Sequence, residues 1–423
     1  MSCNLTKLKI LVVGSGGREH AIAWKLSSSS YVEKIYTIPG NPGMVEFAEL
    51  IDANVTDIEA IRDIALEKKC DLVVVGPEVP LALGLVDLLQ ASGIKAFGPT
   101  QGAARIESSK AYAKKIMHMM NVPTAMHWEF DTEEEAIAHL LTQEGPIVVK
   151  LDGLAAGKGV VVAQNSEEAI VGLKEMFAEG AVGPILIEEY LVGIECSILC
   201  VSDGENIITL TPAQDHKRVG EGDTGLNTGG MGTISPAPAV SLGDIPFIEE
   251  KILLPTIKGM KEDGNPFIGV LFAGLMITKD GPKVLEFNCR MGDPETQVVL
   301  PMLKSDFGEI LWRAVNGDIK GYEPEFYTDA CACVIMTSEG YPGKYEKGFE
   351  IKLPDISDGS LIFHSGTAIK DGKLVTAGGR VLGVMARGKN LDEALDKSYA
   401  IVEKVDFKGA YYRRDIGRVK KLN

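Results

Sequence analysis

The chain is short of positive charge. Its 423 residues carry 43 Lys and Arg against 59 Asp and Glu, a formal net charge of −16. Neutralising a nucleic-acid backbone needs a broad basic face, so the balance argues against a nucleic-acid partner, and equally against an anionic membrane surface. Small phosphorylated ligands remain possible if their site is locally basic. There is no CxxC pair and no Cys/His grouping at zinc spacing: Cys3, Cys70, Cys196, Cys200, Cys289, Cys331 and Cys333 are scattered. Reduced thiols in the core of a cytoplasmic protein are the expectation. No apolar run reaches about 18 residues, so no membrane-spanning helix is expected. The start, MSCNLTKLKI, does not read as a signal peptide. Internal repeats and low-complexity blocks are absent too. What is present is ordinary globular composition, 45% hydrophobic and 24% charged. At roughly 150 residues per domain, this length predicts about three domains.

The first hundred residues alternate strand and helix signals. Leu8–Val13 is a continuous apolar run, as in a parallel strand buried on both faces. It ends in Gly14-Ser15-Gly16-Gly17, and a helix is predicted over Arg18–Leu26. Strands are predicted at Lys34–Ile38, Asp71–Val75 and Ile94–Phe97, with one helix over Val79–Gln90. Gly/Pro turns close these strands, which points to a doubly wound parallel sheet with its ligand site at the strands' carboxyl ends. A second unit follows. Helices are predicted at Ser109–Met120, Thr132–Leu141 and Ser166–Phe177, the last N-capped by Ser166. Strands are predicted at Ile147–Lys150, Val160–Ala163, Ile185–Glu189, Cys196–Val201 and Ile207–Leu210, the last two joined by a turn at Asp203-Gly204. Thr211–Val240 has little periodicity and reads as a long functional loop. Helix returns at Ile245–Met260, followed by an antiparallel pair, Gly269–Thr278 and Lys283–Asn288. A tail unit opens with the strand Ala330–Met336 and holds a late helix, Leu391–Val405. Its basic end, Arg413, Arg414, Arg418, Lys420 and Lys421, reads as solvated.

Four motifs carry chemistry. Gly14-Ser15-Gly16-Gly17-Arg18 follows a strand and opens a helix, a suitable place for a phosphate. The third glycine of a dinucleotide fingerprint is replaced by Glu19, so no nicotinamide cofactor is implied. Gly153 to Gly159, around Lys158, lies between two strands and has the wrong spacing for a Walker A loop; it reads as a glycine-rich flap over nucleotide phosphates. Glu286 and Asn288 share one face of a strand and offer oxygen ligands suited to Mg²⁺ or Mn²⁺, although Glu286 taken alone is an ordinary edge carboxylate. Arg290 would continue that face if the strand extended, and Asp293-Pro294-Glu295 would start a helix with Asp293 as its cap. The run from Gln214 to Gly232, containing Asp215, His216, Lys217 and Arg218, is dense in donors and acceptors and reads as a substrate clamp; His216 by itself reads as structural.

In this order the motifs resemble the phosphoribosylamine–glycine ligase family of the ATP-grasp superfamily. The resemblance is carried by GSGGREHA at 14–21, PGNPG at 39–43, VGPE at 75–78, GPT at 98–100, SSK at 108–110 and VVKLDGLAAGKGV at 148–160. It continues through IEEYLVGIE at 187–195, QDHKRVGEGDTGLNTGGMG at 214–232 and EFNCRMGDPETQ at 286–297, into GYPG at 340–343, HSGT at 364–367 and GGRVL at 378–382. Met291 and Thr233-Ile234 depart from the family's usual residues without removing a charged group.

The resemblance implies three units: an α/β parallel-sheet domain over 1–103, an ATP-grasp core over 104–325 with a lid at about 122–191, and a small α+β domain over 326–423. It implies an ATP-dependent ligase joining glycine to 5-phosphoribosylamine through glycyl phosphate, with Mg²⁺ or Mn²⁺. The chain would be cytoplasmic and a monomer, a dimer being left open. Lys110, Lys150, Gly157, Lys158, Glu188, Glu189, Tyr190, Leu191 and Glu195 would bind ATP. Gly14, Gly16, Gly17, Arg18, Glu19, His20, Asn41, Pro77 and Glu78 would bind the sugar phosphate. Asp215 and Arg290 would hold glycine, with Lys217 beside them at the reacting groups. Glu286 and Asn288 would hold the metal. The rival within the same fold is a carboxylase that activates bicarbonate; a nucleotide-binding protein without catalysis is another.

Overall fold

In this computed structural model, residues 7–153, 159–178, 183–356 and 359–418 are described. The first sheet has five parallel strands in the order Glu49–Leu50, Val32–Pro39, Leu8–Gly14, Leu72–Val75 and Lys95–Phe97. Ile10 to Val13 lie at its centre with no exposed surface, which is why that stretch of the strand is apolar at every position, while Lys9 near its start is half-buried. The helix expected over Val79–Gln90 is two, Glu78–Ala82 and Leu85–Ala91. Gly84 between them sits at φ +86°, a left-handed conformation that ends the first helix. A helix not expected, Gln101–Ser108, precedes Lys110–Met119, and the extended Ser109 separates them, its Oγ accepting from Tyr112 N at 3.1 Å.

The lid is a four-stranded antiparallel sheet in the order His127–Phe130, Ile185–Glu189, Ile147–Leu151 and Val160–Ala163. Its own apolar cluster joins it to the helices Glu133–Leu140 and Ser166–Ala178. The cap of the second helix is Asn165, whose Oδ1 accepts from Glu168 N at 2.9 Å; Ser166 lies inside the helix. The core sheet runs Ile207–Thr209, Ile194–Asp203, Ile268–Thr278 and Gly281–Asn288, and the turn after Asp203 is held by its Oδ1 accepting from Glu205 N and Asn206 N. An apolar cluster runs without a break from Leu11 and Val73 through Ile106 and Ile116 to Leu271 and Val284, so the first sheet and this core are packed together. The helical stretch beginning at Ile245 contains a wide turn over Glu249–Leu253, just before Pro255, which has no N–H to offer the ladder.

The long loop differs most from expectation. It contains four short strands, and two of them, Gln214–Asp215 and Gly232–Ser235, belong to the C-terminal sheet. That sheet runs Gln214–Asp215, Gly232–Ser235, Ala330–Ser338, Arg380–Gly388 and Leu361–His364, with Ala410–Tyr411 also on Ala330–Ser338. Met231 and Ile234 are buried in its core against Ala332 and Val334, an anchoring that a periodicity search over the glycine-rich run misses. The tail is corrected as well: Arg413 is buried, paired with Asp223 and Asp415 at 2.8 and 2.7 Å, and donates to Arg218 O. Lys420 and Lys421 lie outside the described residues. Among the described residues no helix is long and apolar enough to cross a membrane.

Candidate active site

Glu19 organises the N-terminal loop. Its carboxylate fills the space left by Gly14 and Gly76, where any Cβ would overlap it, and accepts from Gly16 N at 2.7 Å. Arg18 is buried, paired with Glu19 through Nε and donating to Met291 O at 3.2 Å through Nη1. The amide of Gly16 and the charge of Arg18 are thus already engaged within the loop. Asn41 donates through Nδ2 to Ser15 O and His364 O, both at 2.9 Å, and accepts from Gly43 N. His20 accepts from His364 N at 2.9 Å, and burial, then the neighbouring His364, pushes its pKa down to about 3. Asn41 and His20 therefore tie the loop to the C-terminal domain. A Cβ on Gly17 would lie 2.6 Å from both Gln297 Nε2 and Ser365 Oγ, so its absence lets those side chains reach the loop. Pro77 leads into the helix Glu78–Ala82, which carries Glu78 to 3.3 Å from Arg290 Nε.

The residues expected to bind ATP lie around the lid hinge. Lys110 donates to Leu151 O at 2.8 Å and Gly153 O at 3.0 Å, and burial lowers its pKa against the pull of Asp152 and Glu286. Lys150, on the lid, pairs with Glu188 at 2.9 Å and donates to Leu285 O at 3.0 Å. Glu188 is buried, and its other oxygen pairs with Lys114 at 3.1 Å. Glu189 pairs with Lys283 at 3.0 Å and accepts from Met126 N. Tyr190 is exposed and Leu191 buried. Gly157 and Lys158 lie outside the described residues.

Across the cleft stands the strand Gly281–Asn288. It ends at Asn288, so Arg290 reaches the cleft from the following turn rather than from an extended face. Enclosure alone would raise the pKa of Glu286, but Lys217, Lys150, Lys110 and Arg290 outweigh it and hold the carboxyl below its usual range. Lys217 pairs with Glu195 at 3.1 Å and lies 3.9 Å from Glu286. Enclosure would lower its pKa, but Glu195, Glu286 and Asp215 raise it, so it stays charged. Arg290 pairs with Glu107 at 3.0 Å and Glu78 at 3.3 Å. Asp215 accepts from His216 N at 2.7 Å; burial and then Glu295 push its pKa well up. Glu295 is itself raised by burial and accepts from Ser197 Oγ at 3.1 Å. Asp293 caps no helix, since the helix begins at Thr296; it accepts from Gln297 Nε2 at 2.7 Å and pairs with Arg380 at 3.2 Å. His216 is structural: Nδ1 faces Gly232 O and Nε2 accepts from Gly417 N.

Among the described residues no three His, Cys, Asp or Glu side chains come together to hold a metal on their own. The donor set of Glu286 and Asn288, an ionised carboxylate and an amide oxygen, instead fits a Mg²⁺-type ion that takes its other ligands from water and phosphates. Sequence reasoning missed Lys114, Glu107, Glu295 and Arg380. Glu295 and Arg380 lie inside the motifs at 286–297 and 378–382 without having been given a part, and Lys114 carried a local signal in being one helical turn from Lys110 on the same face.

A lid sheet over an antiparallel core, with lysines from the lid and its entry helix directed at a Glu–Asn strand, defines the ATP-grasp class of enzymes. Structures of biotin carboxylases share the architecture: the domain from Hydrogenobacter thermophilus 2-oxoglutarate carboxylase, crystallised with MgADP and bicarbonate, superposes with a TM-score of 0.73 at 18% identity, over 95% of this chain and 91% of that one. Family models for phosphoribosylglycinamide synthetase match residues 8–107 (N domain), 108–296 (ATP-grasp domain) and 331–419 (C domain). The chain belongs to the phosphoribosylamine–glycine ligase family. It is 47% identical to the Agrobacterium fabrum ligase of that name, over 97% of this chain and 98% of the relative. It is also 47% identical to the chicken trifunctional purine biosynthetic protein adenosine-3, matching 42% of that longer chain. The crystal structure of the Thermotoga maritima ligase superposes with a TM-score of 0.84 at 36% identity, covering 97% of this chain and all of that one.

Proposed function

We propose that this chain carries out its family's reaction by way of an acyl phosphate. The overall reaction is that of a phosphoribosylamine–glycine ligase: ATP-dependent joining of glycine to 5-phosphoribosylamine in purine biosynthesis. A glycine carboxylate is a poor electrophile, and transfer of the γ-phosphoryl group gives glycyl phosphate with a good leaving group. Attack by the amine of phosphoribosylamine then forms the amide and releases phosphate. Positioned positive charge is the main lever in phosphoryl transfer. Lys110, Lys150 and Lys217 supply it, and Arg290 would meet the glycine carboxylate while Asp215 takes the ammonium. Glu286 and Asn288 would hold Mg²⁺ or Mn²⁺, which neutralises phosphate charge when bound. We place the chain in the cytoplasm, where its six described thiols, all free and buried, stay reduced.

The observation that carries the proposal is the gathering of cations from separate segments on the Glu286–Asn288 strand. Lys217 lies 3.9 Å from Glu286, Lys150 donates to Leu285 O at 3.0 Å and Arg290 to Asn288 Oδ1 at 3.4 Å, with Lys110 also acting to keep Glu286 ionised. In ADP-release assays with glycine and phosphoribosylamine, Glu286→Ala is expected to lose metal-dependent turnover by about a hundredfold or more, with its melting temperature unchanged. Wild-type rates in that variant would refute the metal assignment. Turnover stimulated by bicarbonate alone would move the chain to the carboxylase reading.

A further inference from the structure

Glu188 stands between two lysines. Its side chain and that of Lys114 are each 3% exposed, so water cannot compensate a missing partner. Lys114 Nζ has three acceptors: Glu188 Oε1 at 3.1 Å, Thr124 Oγ1 at 2.9 Å and Ala125 O at 3.3 Å. An ammonium has three N–H bonds, so Lys114 has none left for a ligand. Lys150 differs. It uses Glu188 Oε2 at 2.9 Å and Leu285 O at 3.0 Å, and among the described residues its third N–H has no acceptor. The network closes on the metal-side strand twice, because Thr124 Oγ1 donates to Val284 O at 2.7 Å while Lys150 donates to the next carbonyl. Glu286 follows directly.

We infer that Lys114 is a positioning residue for nucleotide binding: it takes up one oxygen of Glu188, so that Glu188 can hold Lys150 in place without cancelling its charge. The inference rests on the reading of Lys150 as a nucleotide-phosphate lysine. Two ammonium groups and one carboxylate leave one net positive charge in the triad. Without Lys114 the carboxylate belongs to Lys150 alone, and the phosphate side of the cleft loses a full unit of charge in a place that solvent does not screen.

The test is steady-state kinetics on the full chain. Lys114→Met should raise KM for ATP about tenfold while KM for glycine and kcat at saturating ATP stay within about threefold. Adding Glu188→Gln to that variant restores the net charge and leaves an amide oxygen for Lys150 to donate to, so KM for ATP should return to within about threefold of wild type. A purely packing role for Lys114 predicts no such recovery. The inference is overturned if Lys114→Met leaves KM for ATP unchanged, if KM for glycine rises alongside it, or if the double variant is no better than the single. Should the single variant fail to fold, the double variant decides the matter by its KM for ATP. Lys150→Met, measured in parallel, isolates the underlying reading: an unchanged KM for ATP there means that Lys150 does not meet the nucleotide.

Discussion

Two buried histidines show how a single side chain can set the pH range of the whole chain. His20 and His364 pack together, with ring centroids 5.6 Å apart, and both are held neutral, His20 near 3 and His364 near 4. Burial is the main cause for each. In the unfolded chain they titrate near 6.5. Below that pH the unfolded state takes up protons that the folded state refuses, so stability that is complete above about 6.5 falls as pH is lowered towards 4. Each histidine contributes up to about 1.4 kcal/mol per pH unit across that window. Urea unfolding should therefore show a steeper loss between pH 6.5 and 4.5, values set by that window, in wild type than in His364→Gln. Parallel curves would mean that the pair is not held neutral. The residue scale is also where the sequence was least informative. His20, Asn41 and Arg18 are expected as ligand groups beside a glycine-rich turn, and in the fold they also brace that turn through His364, Met291 and Glu19. Nothing local encodes the contacts of His20 and Asn41 with His364 or of Arg18 with Met291, which lie 344, 323 and 273 residues apart.

The elements were far more legible, because their signals are local. Ile10–Val13 and Ala330–Met336 are buried throughout and show it as unbroken apolar runs. The Asp203-Gly204 turn and the two long antiparallel strands after Asn265 also lie where the pattern puts them. Boundaries failed where one residue decides them, as at the left-handed Gly84 or the Asn165 cap. Gly172 in the lid helix tests this scale. Replacing a helix-interior glycine by alanine ordinarily gains up to about 1 kcal/mol. Here the new Cβ would lie 2.7 and 2.8 Å from the two methyl groups of Val161, so the helix must lift from its strand. Gly172→Ala is expected to speed amide hydrogen exchange across Val160–Ala163 and Ser166–Ala178 without lowering the main melting transition. Slower exchange there would show that Val161 gives way and the helix propensity wins.

At the scale of the molecule, the divisions in the sequence and in the fold do not coincide. The C-domain family match starts at residue 331, but the sheet it belongs to includes Gly232–Ser235, whose four residues pair with Cys331 to Val334. Periodicity could not reveal this, since Gly232–Ser235 is four residues long and lies in a run of glycines. A fragment beginning at residue 326 would expose that flank of Ala330–Ser338 as an open edge of fully buried-type residues. It is expected to aggregate or stay unfolded when expressed alone, as judged by size-exclusion chromatography and circular dichroism. A folded, monomeric fragment would show that the borrowed strand is dispensable.

The shared sheet also constrains how such genes can be shuffled. A crossover anywhere between residues 236 and 330 would bring together a strand from one parent and its neighbour from another. Thr233 faces Cys333 and Ile234 faces Ala332 in the register, so both halves of that seam must come from compatible ancestors. Hybrids joined at residues 190–193, between the lid sheet and the core sheet, would keep this seam and the pairing of Ile194–Asp203 with Ile268–Thr278 within one parent, and viable recombinants should gather there.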